Sequence, residues 1–158
     1  MKEFFVAFLF LFFPSIGTSQ QADFKPYQGP YLAEVVRVID GDTIDVRVEL
    51  WPGLIAEYAV RERGIDAPEV RRVGCEEERD WGLDAKRKLE ELYSEGTVVR
   101  LDDVERGSFA GRVLADIKRL VPSAQWIPLE RDMLSRNLAV EWTPNMKDVP
   151  WCLLAQTR

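Results

Sequence analysis

Residues 43–50 alternate without a break. Ile44, Val46, Val48 and Leu50 are apolar, while Thr43, Asp45, Arg47 and Glu49 are polar. A period of two puts every second side chain on one face, so this stretch is a strand with one dry face and one wet face. Such a strand needs a sheet to bury its dry face. Asp40-Gly41-Asp42 before it is turn chemistry, and the valine-rich run from Leu32 to Ile39 before that is the strand it folds back on. Trp51-Pro52-Gly53 turns the chain again, and Ala56 to Ile65 supplies a third strand. The chain is thereby committed to a β-rich meander near residue 30.

Beyond Pro68 and an irregular stretch to Gly74, helical spacing takes over. Trp81, Ala85, Leu89, Leu92 and Tyr93 fall on one stripe, which predicts a helix over 76–94 with Gly96 at its C-terminal cap. A fourth strand is expected over 97–101 and a fifth over 112–118, with Val113 and Ala115 on one face. A second helix is expected over 128–137, and the tail from Thr143 carries little pattern. Three strands, a helix, two strands and a helix make an α+β domain, and five short strands with an inserted helix suit an OB-type barrel.

The chain of 158 residues has the length of one domain. Phe4–Phe13 is an unbroken apolar run behind Lys2, too short to span a bilayer, with small and polar residues after it. Residues 1–20 read as a signal peptide and residues 21–30 as a linker. The domain occupies 31–142 and the tail 143–158. The expectation is a secreted or periplasmic protein with no membrane segment in its mature form. Export exposes the two cysteines, Cys75 and Cys152, to oxidising conditions. They either pair, tying the loop after residue 69 to the tail, or stay as two free or separately buried thiols.

Two absences narrow the chemistry. There is no histidine, which removes imidazole as base, nucleophile or metal ligand, and there is no Cys-x-x-Cys for a structural zinc. The formal net charge is -6, unlike the basic balance of domains that hold nucleic acid by bulk electrostatics. Any phosphate grip must be local or carried by a bound cation. Asp42 and Asp66 sit where strands meet turns, and two carboxylates with carbonyl oxygens form a hard-oxygen set suited to Ca²⁺. Glu69, in a loop after Pro68, is placed to act as a general base on water. Arg61 and Arg112, each on a strand, carry guanidinium forks that match phosphate oxygens. Arg63, two residues on, is expected to point the same way as Arg61. Singly, each of these residues is also explained as a turn, a helix start or a solvated strand charge.

As a set, Val38-Ile39-Asp40-Gly41-Asp42-Thr43, Arg61, Ile65-Asp66-Ala67-Pro68-Glu69 and Gly111-Arg112 resemble the staphylococcal nuclease (thermonuclease) family. The resemblance spans about residues 31–142. It implies a five-stranded OB-fold barrel with helices packed on it. It also implies a Ca²⁺-dependent nuclease that cuts DNA and RNA at the 5′ P–O bond and leaves 3′-phosphates. By matching positions, Asp42 and Asp66 take the place of the metal carboxylates and Ala67 that of a carbonyl ligand. Glu69 takes the place of the base, and Arg61 and Arg112 those of the phosphate-binding arginines. Ala67 stands where the family often has threonine. The family's tyrosine pair beside the nucleotide is unmatched. Trp142 lies nearby, either to stack on a base or as a buried aromatic. Two helices are expected, with the family's third, C-terminal helix missing, and the protein is expected to be a monomer. The competing reading is a non-catalytic OB-fold module for nucleic acid or another ligand.

Overall fold

A computed structural model describes residues 29–107, 111–146 and 148–158. The expected signal peptide and nearly all of the expected linker lie outside the described residues. Among the described residues, no helix is long and apolar enough to cross a membrane.

Strands β1 (Tyr31–Val38), β2 (Thr43–Trp51) and β3 (Leu54–Glu62) form an antiparallel meander. β4 (Ile65–Asp66) and helix α1 (Glu76–Leu92) follow, then β5 (Val98–Arg106) and β6 (Arg112–Leu120). β5 pairs with β1 and with β6, and β6 then pairs in parallel with β3. That last pairing closes five strands, in the order β3-β2-β1-β5-β6, into an OB-like barrel. Register shifts at Val35/Arg37, Glu49/Trp51 and Asp102/Glu105 bend three of the strands. Bends of this kind let a short sheet curl onto itself.

The alternation of residues 43–50 holds through the middle of β2 and fails at its ends, where Leu50, expected dry, is exposed and Thr43, expected wet, is buried. Ile44, Val46 and Val48 are buried inside the barrel with Val35, Val60, Val99, Ala115 and Ile117. The α1 stripe closes one end of this core through Trp81, Ala85, Leu89 and Tyr93. Three acids in the first turn of α1, Glu76, Glu77 and Glu78, suit the positive end of the helix dipole. Burying the apolar side chains at roughly 25 cal/mol per Å² is the main stabilising contribution.

Several boundaries differ from expectation. α1 stops at Tyr93, whose N–H donates to the Leu89 carbonyl (2.8 Å), because the ring is drawn fully into the core. Gly96, expected as the helix cap, instead turns the chain into β5 at φ +81°, with its N–H on the Val35 carbonyl. The third strand divides at Gly64 (φ +82°), so Ile65 and Asp66 form the separate strand β4. β5 runs on to Arg106, since pairing with β6 resumes after the bulge. β7 (Trp126–Pro128) extends β6, and β8 (Val140–Glu141) pairs with β4; both are too short to show a period. The second helix, α2 (Leu129–Leu134), is shorter than expected.

The tail is the main correction. Two helices were expected, with no third, yet Trp151–Ala155 forms a third helix, α3, and Trp151 enters the core. Five residues give no readable stripe, and the packing comes from tertiary contacts with α1. Cys75, immediately before α1, is disulfide-bonded to Cys152 in α3, with Cα atoms 5.9 Å apart. A link across 77 residues contributes about 2–4 kcal/mol by restricting the unfolded chain.

Glu62 is a buried carboxylate inside the barrel, and it accepts the Ile117 N–H at 2.7 Å. Burial pushes its pKa well above 4.5, and Asp116 and Glu130 push the same way. The folded state therefore holds this proton more tightly than the unfolded chain. The contribution is fully present below 4.5 and is lost as pH rises through the folded value. Glu62→Gln should thus gain stability relative to the wild type as pH rises above 4.5. Melting curves of the two proteins across that range check it, and a difference that does not vary with pH refutes it.

Candidate active site

The site is built where the β1–β2 turn, the end of β3 and β4 meet against α1. Asp40 Oδ1 accepts the Asp42 N–H (3.2 Å), so its side chain shapes the turn. Ile39 N–H on the Thr43 carbonyl (2.9 Å) closes that turn, and the Lys86 ammonium on the Ile39 carbonyl (3.2 Å) ties it to α1. Gly41 lets the turn lie flat on the core. A Cβ there would sit 2.7 Å from the Ala67 methyl and 2.8 Å from the Ala85 methyl.

Asp42 points inward and is 1% exposed. Its Oδ1 accepts from the Thr43 hydroxyl (2.8 Å) and from Arg61 Nη1 (2.6 Å), and its Oδ2 accepts the Ala67 N–H (3.0 Å). The other arm of Arg61, Nη2, reaches Asp66 Oδ1 at 2.5 Å. Asp66 Oδ2 accepts the indole N–H of Trp151 at 3.1 Å. One guanidinium thus bridges the two carboxylates, and each carboxylate keeps its second oxygen on a neutral donor.

The electrostatics follow from burial. Burial raises the Asp42 pKa to about 7, with Asp40 adding to the rise, while Arg61 and the bonds from Thr43 and Ala67 pull it down. Burial opposes the charge on Arg61, but Asp42 and Asp66 outweigh it and hold the guanidinium protonated. One positive charge therefore serves two carboxylates and leaves Asp42 costly to ionise. A hard divalent cation would relieve that cost, since carboxylate oxygens are the donors such an ion takes.

Glu69 lies at the surface on the loop after Ala67 and Pro68. Partial burial raises its pKa above 4.5; Asp40, Asp66 and Glu78 raise it further and Arg61 lowers it. It shares the field of the Asp42–Arg61–Asp66 cluster. The loop is seated on α1 at Gly82, where a Cβ would stand 2.5 Å from the Glu69 carbonyl oxygen and 2.7 Å from that of Pro68. In parallel pairing, Ala59 faces Arg112 and Arg61 faces Leu114, so both arginines share the outer face of the barrel wall. They are one two-residue step apart, about 6–7 Å along the strand. Arg112 also lines a cavity of about 910 Å³ at the barrel end away from α1, with Trp51, Tyr58 and Val113.

The structure therefore brings together Asp42, Arg61, Asp66 and Ala67, sets Glu69 beside them, and puts Arg112 on the adjoining strand. Arg63 lies just past the end of β3 on the same outer face as Arg61, but its partners differ: it pairs with Asp116 (3.2 Å) and Glu105 (3.0 Å), while Arg61 pairs with Asp42 and Asp66. Trp142 is half-buried, its backbone N–H donates to the Gly64 carbonyl (2.8 Å), and it stands two residues past Val140, the partner of Asp66 in the β4–β8 pair. Among the described residues, the three metal-capable side chains that gather within 4.8 Å are Cys75, Glu78 and Cys152. Their sulfurs are joined in the disulfide and offer no thiolate. The sequence reading missed two contributors, Trp151 and Gly82. A glycine inside a helix costs about 1 kcal/mol relative to alanine, which is a signal of close packing at Gly82. For Trp151, the signal was its position beside Cys152. Compared with known proteins, the chain matches no family model and no curated relative.

Proposed function

We propose that this chain is an exported, monomeric, Ca²⁺-dependent phosphodiesterase of the staphylococcal nuclease type. It would cleave DNA and RNA at the 5′ P–O bond to leave 3′-phosphates. The observation that carries the reading is the convergence of Asp42, Arg61 and Asp66, far apart in sequence, into one bonded cluster beside Glu69. Asp42, Asp66 and the Ala67 carbonyl would hold the cation, which supplies charge neutralisation at the phosphate and acidifies water. Glu69 accepts the proton of the attacking water. Arg61 and Arg112 orient the phosphate and offset the charge that builds on it, as preorganised guanidinium forks do.

Incubation of single-stranded DNA with Ca²⁺ and with a chelator tests this. Loss of intact substrate only with Ca²⁺ is the expected result, and an intact substrate in both refutes it. The second reading, a non-catalytic OB-fold binding module, is favoured by the net charge of -6. It predicts retention of the oligonucleotide without cleavage.

A further inference from the structure

We propose that Trp151 is a positioning residue for Asp66, and that the Cys75–Cys152 bridge keeps it in place, so that α3 is a clamp on the candidate site. Asp66 is held in three ways. Its backbone belongs to a two-residue pairing with Val140. One carboxylate oxygen goes to Arg61, and the other takes the indole N–H of Trp151. Without the indole, Oδ2 loses its donor, and the single bond from Arg61 to Oδ1 no longer fixes the plane of the carboxylate.

The indole is itself well fixed. Trp151 is 5% exposed and meets the Trp81 ring edge-to-face, with centroids 5.1 Å apart. Trp81 in turn donates its N–H to the Asn137 carbonyl at 2.9 Å. Arg158 also lies over the Trp81 ring, 5.0 Å from its centroid. α3 cannot hold this place by its own helicity. It has five residues and no side-chain cap, and helices this short are unstable alone. The covalent anchor is the residue next to Trp151. Cys152 is bonded to Cys75, where the chain enters α1, and α1 also seats the Pro68–Glu69 loop through Gly82. The bridge thus fixes the indole to the same helix that carries the catalytic loop.

The effect on cation binding rests on the nuclease reading, and two measurements keep the clamp and that reading separable. In the first, exchange of the Trp151 indole N–H with solvent is followed by NMR in the oxidised protein and after reduction of the bridge. Protection that falls on reduction, with the barrel signals retained, supports the clamp. Protection unchanged by reduction overturns it. This arm needs neither metal nor substrate. In the second, Ca²⁺ is titrated by calorimetry into the wild type and into Trp151→Phe, which keeps a ring against Trp81 and removes one donor. The expected loss in Ca²⁺ affinity is about 10–100-fold, as for other groups that orient a ligand, with the NMR signals of the barrel retained. Equal affinity in the two proteins overturns the positioning role. A wild type that binds no Ca²⁺ refutes the nuclease reading instead, and the exchange measurement then decides the clamp.

Discussion

Glu69→Gln is expected to lower turnover by about 10²–10⁴-fold, the range of a lost general base, while the fold stays intact. Glutamine keeps the shape and removes the ability to take a proton from water. The electrostatics say why the fold should tolerate it. The folded-state pKa of Glu69 is raised by partial burial and by Asp40, Asp66 and Glu78. Its ionised form is therefore held less well in the folded protein than in the unfolded chain, and removing that charge does not weaken the fold at neutral pH. The same shift sets the pH profile. Wild-type activity should fall as pH drops through the raised pKa, so the Glu69 limb stands above 4.5; the variant should lack that limb and keep only the one set by protonation of the Asp42 carboxylate. Single-turnover rates across pH measure both. Near-normal turnover in Glu69→Gln would remove Glu69 from the role of base.

Gly82→Ala is expected to weaken both stability and catalysis. In an exposed helix this change adds about 1 kcal/mol of stability. Here the sign reverses, because the new methyl meets two backbone carbonyls at 2.5 and 2.7 Å. Backbone cannot swing aside as a flexible side chain can, so either α1 or the Pro68–Glu69 loop must move. Overpacking of this kind costs about 1–3 kcal/mol. A displacement of about 1 Å in a catalytic loop costs on the order of 10²-fold in rate. The loop is the lighter of the two bodies, so the rate should suffer even where the melting temperature recovers in a stabilised background. A variant with wild-type melting and wild-type turnover would show that the loop is not seated on Gly82. Gly41→Ala crowds the other side of the site, against Ala67 and Ala85.

The sequence exposed those parts of the fold that repeat. The alternation in β2 and the stripe in α1 each span several turns or pleats, and both bury their apolar faces over most of their length, with Leu50 and Thr43 at the ends of the β2 run as the exceptions. What lacked a period was lost. β7, β8 and α3 are two to five residues long, and their geometry comes from the partners they touch. In the site, Asp42, Arg61 and Asp66 were legible because charges at strand ends beside turns are placed where side chains converge. That a single guanidinium would bridge both carboxylates was not legible, since it depends on the tilt of β3 against β4.

The barrel is closed by a seam, the parallel pairing of β3 with β6, and Arg61 and Arg112 stand on opposite sides of it. A phosphate gripped by both guanidiniums would lie across that joint like a cross-brace. Opening the barrel would then require letting go of the ligand, and occupancy would add RT ln(1 + [L]/Kd) to the free energy of unfolding. If the proposed nuclease reading holds, the polymer being cut would also splint the protein that cuts it, and release of product would return the wall to its weaker state.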